Sequence, residues 1–401
     1  MKPGYKQTDG GVIPEDWEIE SIAQLIENRT ILGHLDGNHG ELYPRSHEFK
    51  PYGVPYVGAN DFEEGDVTFE RCKFLSDAKA GKFRKGVARD GDVLFAHNAT
   101  VGPVALLRTT LPFVILSTTA TYFRCNPEKL NNYYLKGALQ SKYFVKQYQA
   151  VMAQSTRFQV PIKAQRKLSL VVPPLPEQRA IATALSDMDA LLASLDRLIA
   201  KQRDIKQAAM QQLLTGQTRL PGFKGKWETK RLGEVASLSK GSQLHSSEMD
   251  DAGNFAHLNG GITPSGYTLT SNTAANTIAI SEGGNSCGFV QFMTEPYWCG
   301  GHCYSVIPSG IDNRYLYHAL KGQQSGIMSL RVGSGLPNVQ KSALLAFALP
   351  VPTNLPEQTA IATVLSDMDA ELTALEQRRE KTRALKQGMM QELLTGRTRL
   401  V

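Results

Sequence analysis

Two long stretches of the chain carry apolar residues at steps of three and four positions, the spacing of one face of an α-helix. Both stretches begin with Pro-Glu, which suits the first turn of a helix. They end before Gly216 and Gly396, and glycine suits the residue that follows a last turn. The pattern predicts two long helices whose apolar stripes consist of Ile181, Leu185, Met188, Leu192, Leu195 and Ile199 in the first, and Ile361, Leu365, Met368, Leu372 and Leu375 in the second.

The two stretches are copies of each other, displaced by 180 residues. Residues 176–220 and 356–400 are identical at 28 of 45 positions without a gap. A stripe of this length needs a partner stripe, and the other copy is the obvious one. We therefore expect the helices to pair as an antiparallel coiled coil. Arg378 and Arg379 replace two apolar residues in the second copy, so that section faces either solvent or another subunit.

Outside the repeats the pattern changes to short apolar runs separated by Gly, Pro and Asn, which predicts strands joined by loops. The clearest strand-like runs lie at 93–95, 113–116, 277–280 and 303–307. Amphipathic helical segments follow them at 131–151 and 312–330. The fold class is a mixed α/β (α+β) chain in which two globular domains are separated by the two long helices. The predicted segments are a first globular domain at 1–175, a first helix at 176–220, a second globular domain at 221–355 and a second helix at 356–401.

A few landmarks recur in the same order in the two globular regions, although the regions hardly match otherwise. Trp17 and Trp227 stand at the same place before them. In each region a strand runs into a Gly-bounded polar loop, and a later polar segment precedes a strand-like run that ends in proline. That later segment is 154–157 in the first region and 333–336 in the second.

Charge permits a nucleic-acid partner without demanding one, since the formal net charge of the chain is +6. Residues 1–175 hold 22 Lys and Arg against 18 Asp and Glu, whereas residues 226–355 hold 8 against 8. If both regions contact nucleic acid, the second must do so with neutral polar groups.

Cysteine content and hydropathy bear on the compartment. The five cysteines are odd in number and irregularly spaced, so no disulfide framework is predicted. The amino terminus lacks the apolar core of a signal peptide, and no apolar run approaches the ~20 residues of a membrane helix. We expect a soluble cytoplasmic protein that does not contact a membrane.

Motifs that carry catalysis are missing from the sequence. It contains no P-loop, no Gly-x-Gly-x-x-Gly and no Asn/Asp-Pro-Pro-Tyr/Phe. The segment Cys299-Gly-Gly-His302-Cys303, with Cys287 upstream, could begin a zinc site, but a strand edge built of small residues is the simpler interpretation. We predict neither a catalytic residue nor a metal site.

The order of variable region, Pro-Glu-Gln helix, variable region and Pro-Glu-Gln helix resembles the specificity subunits of type I restriction–modification systems. The matching phrases are Val172-Pro-Pro-Leu-Pro-Glu-Gln178, Asp36-Gly-Asn-His-Gly40, the Gly-Asp-Val-Leu-Phe strand at 91–95, and the repeated Leu-Leu-Thr-Gly. The near-neutral second region departs from the pattern.

The resemblance implies a non-catalytic subunit in which each globular domain is a target-recognition domain for one half of an asymmetric, bipartite DNA site, while the helices set the gap. It implies three kinds of partner: double-stranded DNA, two copies of a methyltransferase (modification) subunit, and a restriction/translocase subunit. No cofactor is bound by this chain on this interpretation, since S-adenosylmethionine, ATP and Mg are used by the partners.

Side chains that reach base edges or phosphates from loops are the candidates for DNA contact. In the first region they are Arg29, His34, Asn38, His39, Arg45, Lys50, Lys82, Arg84, Lys85, His97, Asn98 and Arg157. In the second they are Lys240, Gln243, His245, Asn259, Asn285, His302, Arg331 and Asn338. Helix positions away from the apolar stripe are the candidates for partner binding: Arg179, Asp187, Asp189, Asp367 and Asp369.

Two other classes of function stay open at this point. A stand-alone DNA-binding regulator would need tight binding without partners, against which the modest charge argues. A coiled-coil scaffold without a DNA role would show no sequence preference.

Overall fold

A computed structural model describes residues 3–154, 157–245, 248–250, 252–333 and 335–400. The chain divides into two compact units. Unit 1 consists of Met1–Ser194 and Arg379–Val401, and unit 2 consists of Leu195–Arg378. Each unit therefore combines one globular region with the first part of the helix that follows it and the last part of the other long helix.

Unit 1 opens with a hairpin and continues as two sheets with helices. Its strands are β1 (Tyr5–Thr8), β2 (Gly11–Pro14), β3 (Glu18–Ser21), β4 (Ile31–Asp36), β5 (Phe49–Lys50), β6 (Val54–Val57), β7 (Phe62–Glu63), β8 (Asp66–Val67), β9 (Lys73–Leu75), β10 (Val87–Ala88), β11 (Val93–Asn98), β12 (Thr100–Leu106), β13 (Val114–Leu116), β14 (Ala120–Cys125) and β15 (Ser169–Val172). Its helices are α1 (Ile22–Glu27), α2 (Asp77–Ala80), α3 (Asn132–Gln140), α4 (Lys142–Ala153) and α5 (Ile162–Gln165), with 3-10 turns at Gly40–Leu42, Ser46–Glu48 and Ala59–Asp61.

Unit 2 is smaller but contains the same kinds of element. Its strands are β16 (Trp227–Arg231), β17 (Ala236–Lys240), β18 (Phe255–Leu258), β19 (Gly266–Thr268), β20 (Thr277–Ser281), β21 (Val290–Met293), β22 (Tyr297–Cys299), β23 (Cys303–Pro308) and β24 (Ala348–Pro352). Its short helices are α7 (Leu232–Val235), α8 (Asn313–Gly322), α9 (Gln324–Ser329) and α10 (Lys341–Ala346). The two long helices are α6 (Leu175–Leu213) and α11 (Leu355–Leu393).

Strand order shows that the two units repeat one topology. Unit 1 contains the order β4-β14-β11-β12 at one end of a six-stranded sheet, and unit 2 contains β17-β23-β20-β21. The second sheet has the order β13-β6-β9 in unit 1 and β22-β18-β19 in unit 2, with a parallel first pair and an antiparallel second pair in both. Unit 1 adds β5, β7, β8 and β10 to this shared plan.

The strand predictions were accurate, because buried β-branched and aromatic residues favour strands. The predicted runs lie in β11, β13, β20 and β23. The helical segment predicted at 131–151 is two helices, since Ser141 has extended backbone (ψ 150) and caps α4 with its side chain. The segment at 312–330 likewise divides into α8 and α9.

The predicted antiparallel pairing of the long helices is confirmed inside each unit. In unit 1 the start of α6 pairs with the end of α11, where Asp189 contacts Lys386. In unit 2 the start of α11 pairs with the end of α6, where Asp369 contacts Lys206. Both residues of one ion pair are 180 positions from their counterparts in the other, so the sequence repeat appears as a repeat of contacts.

Apolar side chains of the stripe form the cores between these helices and the globular regions. Ile181 and Leu185 belong to the core of unit 1 together with Leu393 and Leu394. The equivalent residues Ile361, Leu365, Leu213 and Leu214 belong to the core of unit 2. Each globular region therefore shares one continuous apolar core with a helix pair.

The Pro-Glu-Gln motif holds the globular region to the helices. In unit 1 the buried Glu177 accepts hydrogen bonds from Trp17 Nε1 (2.9 Å) and from Arg399 Nη2 (2.6 Å). The adjacent Gln178 accepts one from the backbone N–H of Asn131, at 2.9 Å, just before α3 begins. These contacts explain why the motif is needed at the start of the helix.

Unit 2 repeats this arrangement. Glu357 accepts hydrogen bonds from Trp227 Nε1 (3.4 Å) and Arg219 Nη2 (2.6 Å). Gln358 accepts one from the backbone N–H of Asp312, at 2.8 Å, just before α8 begins. In each unit, the arginine that follows the end of one long helix therefore binds the glutamate in the first turn of the other long helix.

Candidate nucleic-acid interface

Five backbone segments meet at one end of the sheets in unit 1, and we call them loop cluster 1: residues 37–40, 58–60, 84–86, 97–99 and 117–119, together with the adjoining 157–159. The N–H of Gly37 donates to Ala120 O (3.2 Å), and that of Ser117 donates to Val57 O (2.7 Å). A Cβ at Gly37 would lie 2.1 Å from Ser117 O, so only glycine permits this close approach.

Loop cluster 2 consists of residues 240–243, 259–261, 282–285, 300–302 and 336–338 of unit 2, and the same backbone bonds hold it together. The N–H of Gly241 donates to Cys303 O (2.9 Å), and that of Gly300 donates to Leu258 O (2.7 Å). A Cβ at Gly241 would lie 2.3 Å from Cys299 O. The two clusters are equivalent in backbone although their side chains differ.

Cationic and amide side chains converge in loop cluster 1. Asn38, His39, Arg84 and Lys85 line a cavity of about 390 Å³ beside the buried Phe83. His39 Nε2 lies 2.6 Å from Leu116 O, so this nitrogen carries the proton and donates. The pKa of His39 is lowered, mainly because burial disfavours its charged form. The exposed ends of Arg84 and Lys85 are thus the positive groups of this site.

His97 and Asn98 lie on the other side of the same cluster. His97 is buried, and burial lowers its pKa to about 4. Asn98 is half-buried, and its Nδ2 donates to Thr118 O at 3.4 Å. Asn98 therefore keeps part of its amide toward the surface, whereas His97 belongs to the interior of the sheet.

Loop cluster 2 is polar and almost neutral. Lys240 Nζ donates to Glu282 Oε1 at 2.7 Å, and His302 Nδ1 lies 3.8 Å from Glu282 Oε2. Asn259 Oδ1 accepts from the backbone N–H of His302 at 3.0 Å. The exposed side chains at the rim include Gln243, so amide, imidazole and lysine groups are available here with one carboxylate between them.

Of the remaining residues predicted to bind DNA, Arg157 belongs to loop cluster 1 and Asn285 and Asn338 belong to loop cluster 2, whereas the others lie apart from the clusters or at their margins. His34 is buried in β4 with its Nε2 3.1 Å from Gln165 Oε1, and burial lowers its pKa to about 4. Arg29 follows α1, next to Asn126 at the end of β14 that is remote from loop cluster 1. Arg45, Lys50, Lys82 and Arg157 are exposed in unit 1, as are His245, Asn285, Arg331 and Asn338 in unit 2.

The residues predicted to bind a protein partner fall into two groups. Arg179, Asp187 and Asp367 are exposed on the long helices. Asp189 and Asp369 are half-buried and form the ion pairs between helices described above. Sequence periodicity did not distinguish the groups, because the difference is made by a lysine on the antiparallel helix, 197 residues from Asp189 and 163 residues from Asp369.

The Cys299–Cys303 segment forms a tight turn between β22 and β23. Both thiols are buried, and His302 points to the surface. Within the described ranges no cluster of three or more His, Cys, Asp or Glu side chains is arranged to hold a metal ion. All five cysteines are free thiols. In the same ranges no helix is both long enough and apolar enough to pass through a lipid bilayer.

Sequence reasoning missed two groups of residues at these clusters. Ser117, Thr118 and Thr119 lie at the centre of loop cluster 1, and only their contacts with Gly37 and Gly58 identify them. Phe158 and Leu336 are exposed at equivalent loops. The candidates for DNA contact were chosen as polar or charged residues, so these two apolar residues were not among them.

Comparison with known proteins relates the whole chain to one group. The profile of the family described as "Type I restriction modification DNA specificity domain" matches residues 14–201 and 224–384. A Mycoplasma pneumoniae protein named as a type I specificity subunit is 35% identical over 172 residues, which are 42% of this chain and 46% of that protein. The chain thus matches less than half the length of that relative.

Two further matches extend over nearly the full chain. A Methanocaldococcus jannaschii protein named as the MjaX type I restriction enzyme specificity subunit is 24% identical, covering 99% of this chain and 97% of that one. The crystal structure of a type I restriction–modification S subunit from M. genitalium has a TM-score of 0.67 at 19% identity, covering 98% of this chain and 99% of that chain. At this identity the structural match shows a shared fold.

Proposed function

Because the chain belongs to the type I restriction modification DNA specificity family, we propose that it is the subunit that selects the DNA sequence for a type I restriction–modification complex. The observation that carries the proposal is the presence of two equivalent loop clusters, one per unit, on an otherwise repeated scaffold. Loops positioned by a rigid scaffold are the usual place for recognition residues.

The target is an asymmetric, bipartite DNA site. Equivalent backbones let both units approach a major groove in the same way, because a groove admits a restricted set of protein surfaces. Different side chains make the two half-sites different. Loop cluster 1 offers Arg84, Lys85 and Asn98, whereas loop cluster 2 offers Lys240, Gln243 and Asn259.

Affinity is unequally divided between the two units on this proposal. Phosphate contacts by lysine and arginine supply much of the salt-dependent affinity for DNA. The exposed segment Lys82, Arg84 and Lys85 provides such contacts in unit 1, and unit 2 relies more on amide hydrogen bonds to base edges.

The chain itself is non-catalytic, and methyl transfer and cleavage take place on partners. Two copies of a methyltransferase subunit bind to the repeated helix surfaces, since identical partners need equivalent docking surfaces. Arg179, Asp187 and Asp367 are exposed for this role. A restriction/translocase subunit joins them, and S-adenosylmethionine, ATP and Mg are bound by the partners. The complex acts on chromosomal DNA, which places the chain in the cytoplasm.

An exchange of one globular region tests the proposal. Residues 18–172 are replaced by the corresponding region of another family member, and the methylated sequences of the host genome are compared before and after. One half of the methylated site should change while the other half stays the same. A change in both halves or in neither contradicts the modular assignment.

The stand-alone regulator is tested on the purified chain. Gel-shift titrations are run with and without a methyltransferase subunit from the same host. We expect weak binding by the chain alone and tight binding by the complex. Tight, sequence-specific binding by the chain alone would favour a regulator instead.

A further inference from the structure

Two large apolar side chains extend into solvent beside the loop clusters, one in each unit. Phe158 is 78% exposed and Leu336 is 87% exposed. Ser155, Thr156 and Ser334 in the same segments lie outside the described residues. Scattered exposed apolar residues are ordinary, but one large apolar side chain in each of two equivalent loops of a repeated scaffold calls for a common cause.

Backbone hydrogen bonds establish the equivalence. In unit 1 the N–H of Ala99 donates to Phe158 O at 3.2 Å. In unit 2 the N–H of Gly284 donates to Pro337 O at 2.9 Å. Ala99 and Gly284 both have positive φ, 64° and 80°. Phe158 therefore corresponds to Pro337, and Leu336 is the residue just before it.

The chain is anchored two residues after Phe158 and three residues after Leu336. The next residues along the chain, Val160 and Val339, are fully buried. The N–H of Val160 donates to His97 O and that of Val339 donates to Glu282 O, each at 2.8 Å. Each apolar side chain thus stands two or three residues from an anchor in its own core, so its position is set by the fold.

The surroundings of these side chains favour nucleic acid over a protein as the occupant. Gln159 pairs with Asn98 in an isolated backbone β-bridge beside Phe158, and Asn338 pairs with Gly283 in another beside Leu336. In unit 1 continuous contacts lead from Asn98 to the cations of loop cluster 1. Asn98 contacts Thr118, Ser117 lies against Gly37, and Gly37 lies against Gly86, the residue after Lys85. An apolar group among amide donors, next to cations, suits base pairs flanked by phosphates.

We propose that Phe158 and Leu336 are apolar base-contacting residues, each packing against the bases of one DNA half-site. The inference rests on the proposed function. It adds two apolar residues to candidates for base contact that were all polar or charged. Such side chains contact thymine methyl groups or press against base steps. The contact is removed from water when DNA binds and has no counterpart in the free chain.

The test uses the complex purified from its host through a tag on this chain, and a pool of DNA duplexes with randomised positions. Bound duplexes are sequenced for the wild type, Phe158→Ala and Leu336→Ala. Phe158→Ala should lose preference at one or two positions of one half-site and bind its best wild-type sequence about tenfold more weakly. Leu336→Ala should do the same in the other half only.

Matched controls separate a base contact from a general surface effect. Phe158→Leu keeps an apolar group and should retain most of the preference. Tyr52→Ala and Leu269→Ala remove side chains that are 79% and 64% exposed, near the ends of β6 and β18 remote from the loop clusters. These two variants should select the wild-type sequence. Thermal unfolding should be unchanged in all five variants, because each position is exposed.

Three results would overturn the inference. The first is that Phe158→Ala and Leu336→Ala select the wild-type sequence with wild-type affinity. The second is that either variant purifies without its partner subunits, which identifies a protein as the occupant. The third is that the wild-type complex itself enriches no sequence, in which case the proposed function fails as well.

Discussion

At the scale of residues, a small set of polar contacts attaches each globular region to the helices. Glu177 is buried, and it binds Trp17 and Arg399 at the same time. Arg399 also binds Asp16, which lowers the pKa of that carboxyl group through their hydrogen bond. A buried charge needs such partners, because an unpaired one is expensive.

Glu177→Gln should strongly destabilise unit 1, because it leaves the guanidinium group of Arg399 without its buried partner. Arg399 keeps Asp16 as a partner and its side chain is 32% exposed, so the expected cost is that of hydrogen bonds to a charged group, about 1.5–3 kcal/mol. Glu357→Gln should have the same effect in unit 2, where the partner is Arg219. Urea denaturation measures both variants. Asp187→Asn, exposed on the same helix, is the control and should change stability by less than about 0.5 kcal/mol; an equal loss in the control contradicts the assignment.

A pH dependence follows from the buried histidines of unit 1. The pKa of His34 is lowered to about 4 by burial, against about 6.5 in an unfolded chain. As pH falls below 6.5 the unfolded chain takes up this proton and the folded chain does not, so the free energy of unfolding falls until pH reaches about 4.

His34→Gln should remove this contribution, which amounts to about 2 kcal/mol between pH 7 and pH 5. The comparison requires urea titrations of wild type and variant at both pH values. His97 remains in both proteins, and burial lowers its pKa to about 4 as well, so the variant retains part of the pH dependence. An identical slope in the two proteins would show that the pKa of His34 is the same in the folded and unfolded chains, which contradicts the prediction.

At the scale of elements, the two long helices divide their surfaces between cores and solvent in the same way outside their middle sections, where the buried Ile199 of α6 corresponds to the half-buried Arg379 of α11. Leu185 and Leu365 are buried at equivalent positions. Ile205 and Leu385 are exposed at equivalent positions. These equivalent positions on the two helices therefore have similar exposure, each in its own unit.

Leu185→Ala should cost about 2–5 kcal/mol in the stability of unit 1, because a buried leucine leaves a cavity when truncated. Leu365→Ala should cost as much in unit 2. Ile205→Ala and Leu385→Ala are the matched controls, and they should lie within about 1 kcal/mol of wild type, since alanine favours a helix and little burial is lost. Circular dichroism during thermal unfolding measures all four. Equal losses at buried and exposed positions would refute the assignment of the stripe.

At the scale of the whole molecule, the chain passes from one unit to the other inside α6 and returns inside α11. The boundaries fall after Ser194 and after Arg378. The ion pair of unit 2, Lys206–Asp369, lies between these boundaries in the chain, and that of unit 1, Asp189–Lys386, lies outside them. A change at both boundaries together therefore preserves the pairing inside each unit.

Four helical residues inserted after Ser194, together with four after Arg378, should lengthen the gap between the half-sites without changing their bases. Four residues add about 6 Å of helix, roughly one or two base-pair steps of 3.4 Å. Sequencing of methylated sites in the host measures the gap. An insertion at one boundary alone is the control and should abolish methylation, because it shifts one helix against the other. An unchanged gap in the double insertion would exclude the helices as the spacer.

The sequence determined the elements with a local or repeated signal. Periodicity predicted α6 and α11, and their repetition predicted the antiparallel pairing that Asp189–Lys386 and Asp369–Lys206 now show. The resemblance also gave the family to which the chain belongs. The break at Ser141 was missed, because a serine that caps a new helix looks like any polar residue within an amphipathic pattern.

Only the tertiary structure decided which residues meet. It showed that Glu177 binds Arg399, 222 positions away, and that two regions of unlike sequence have the same strand order. It placed His34 and His97 inside the sheet and left Phe158 and Leu336 in solvent. The physical reason is that helix and strand periodicity is a property of neighbouring residues, whereas burial and hydrogen-bond partners depend on segments that the chain brings together from afar.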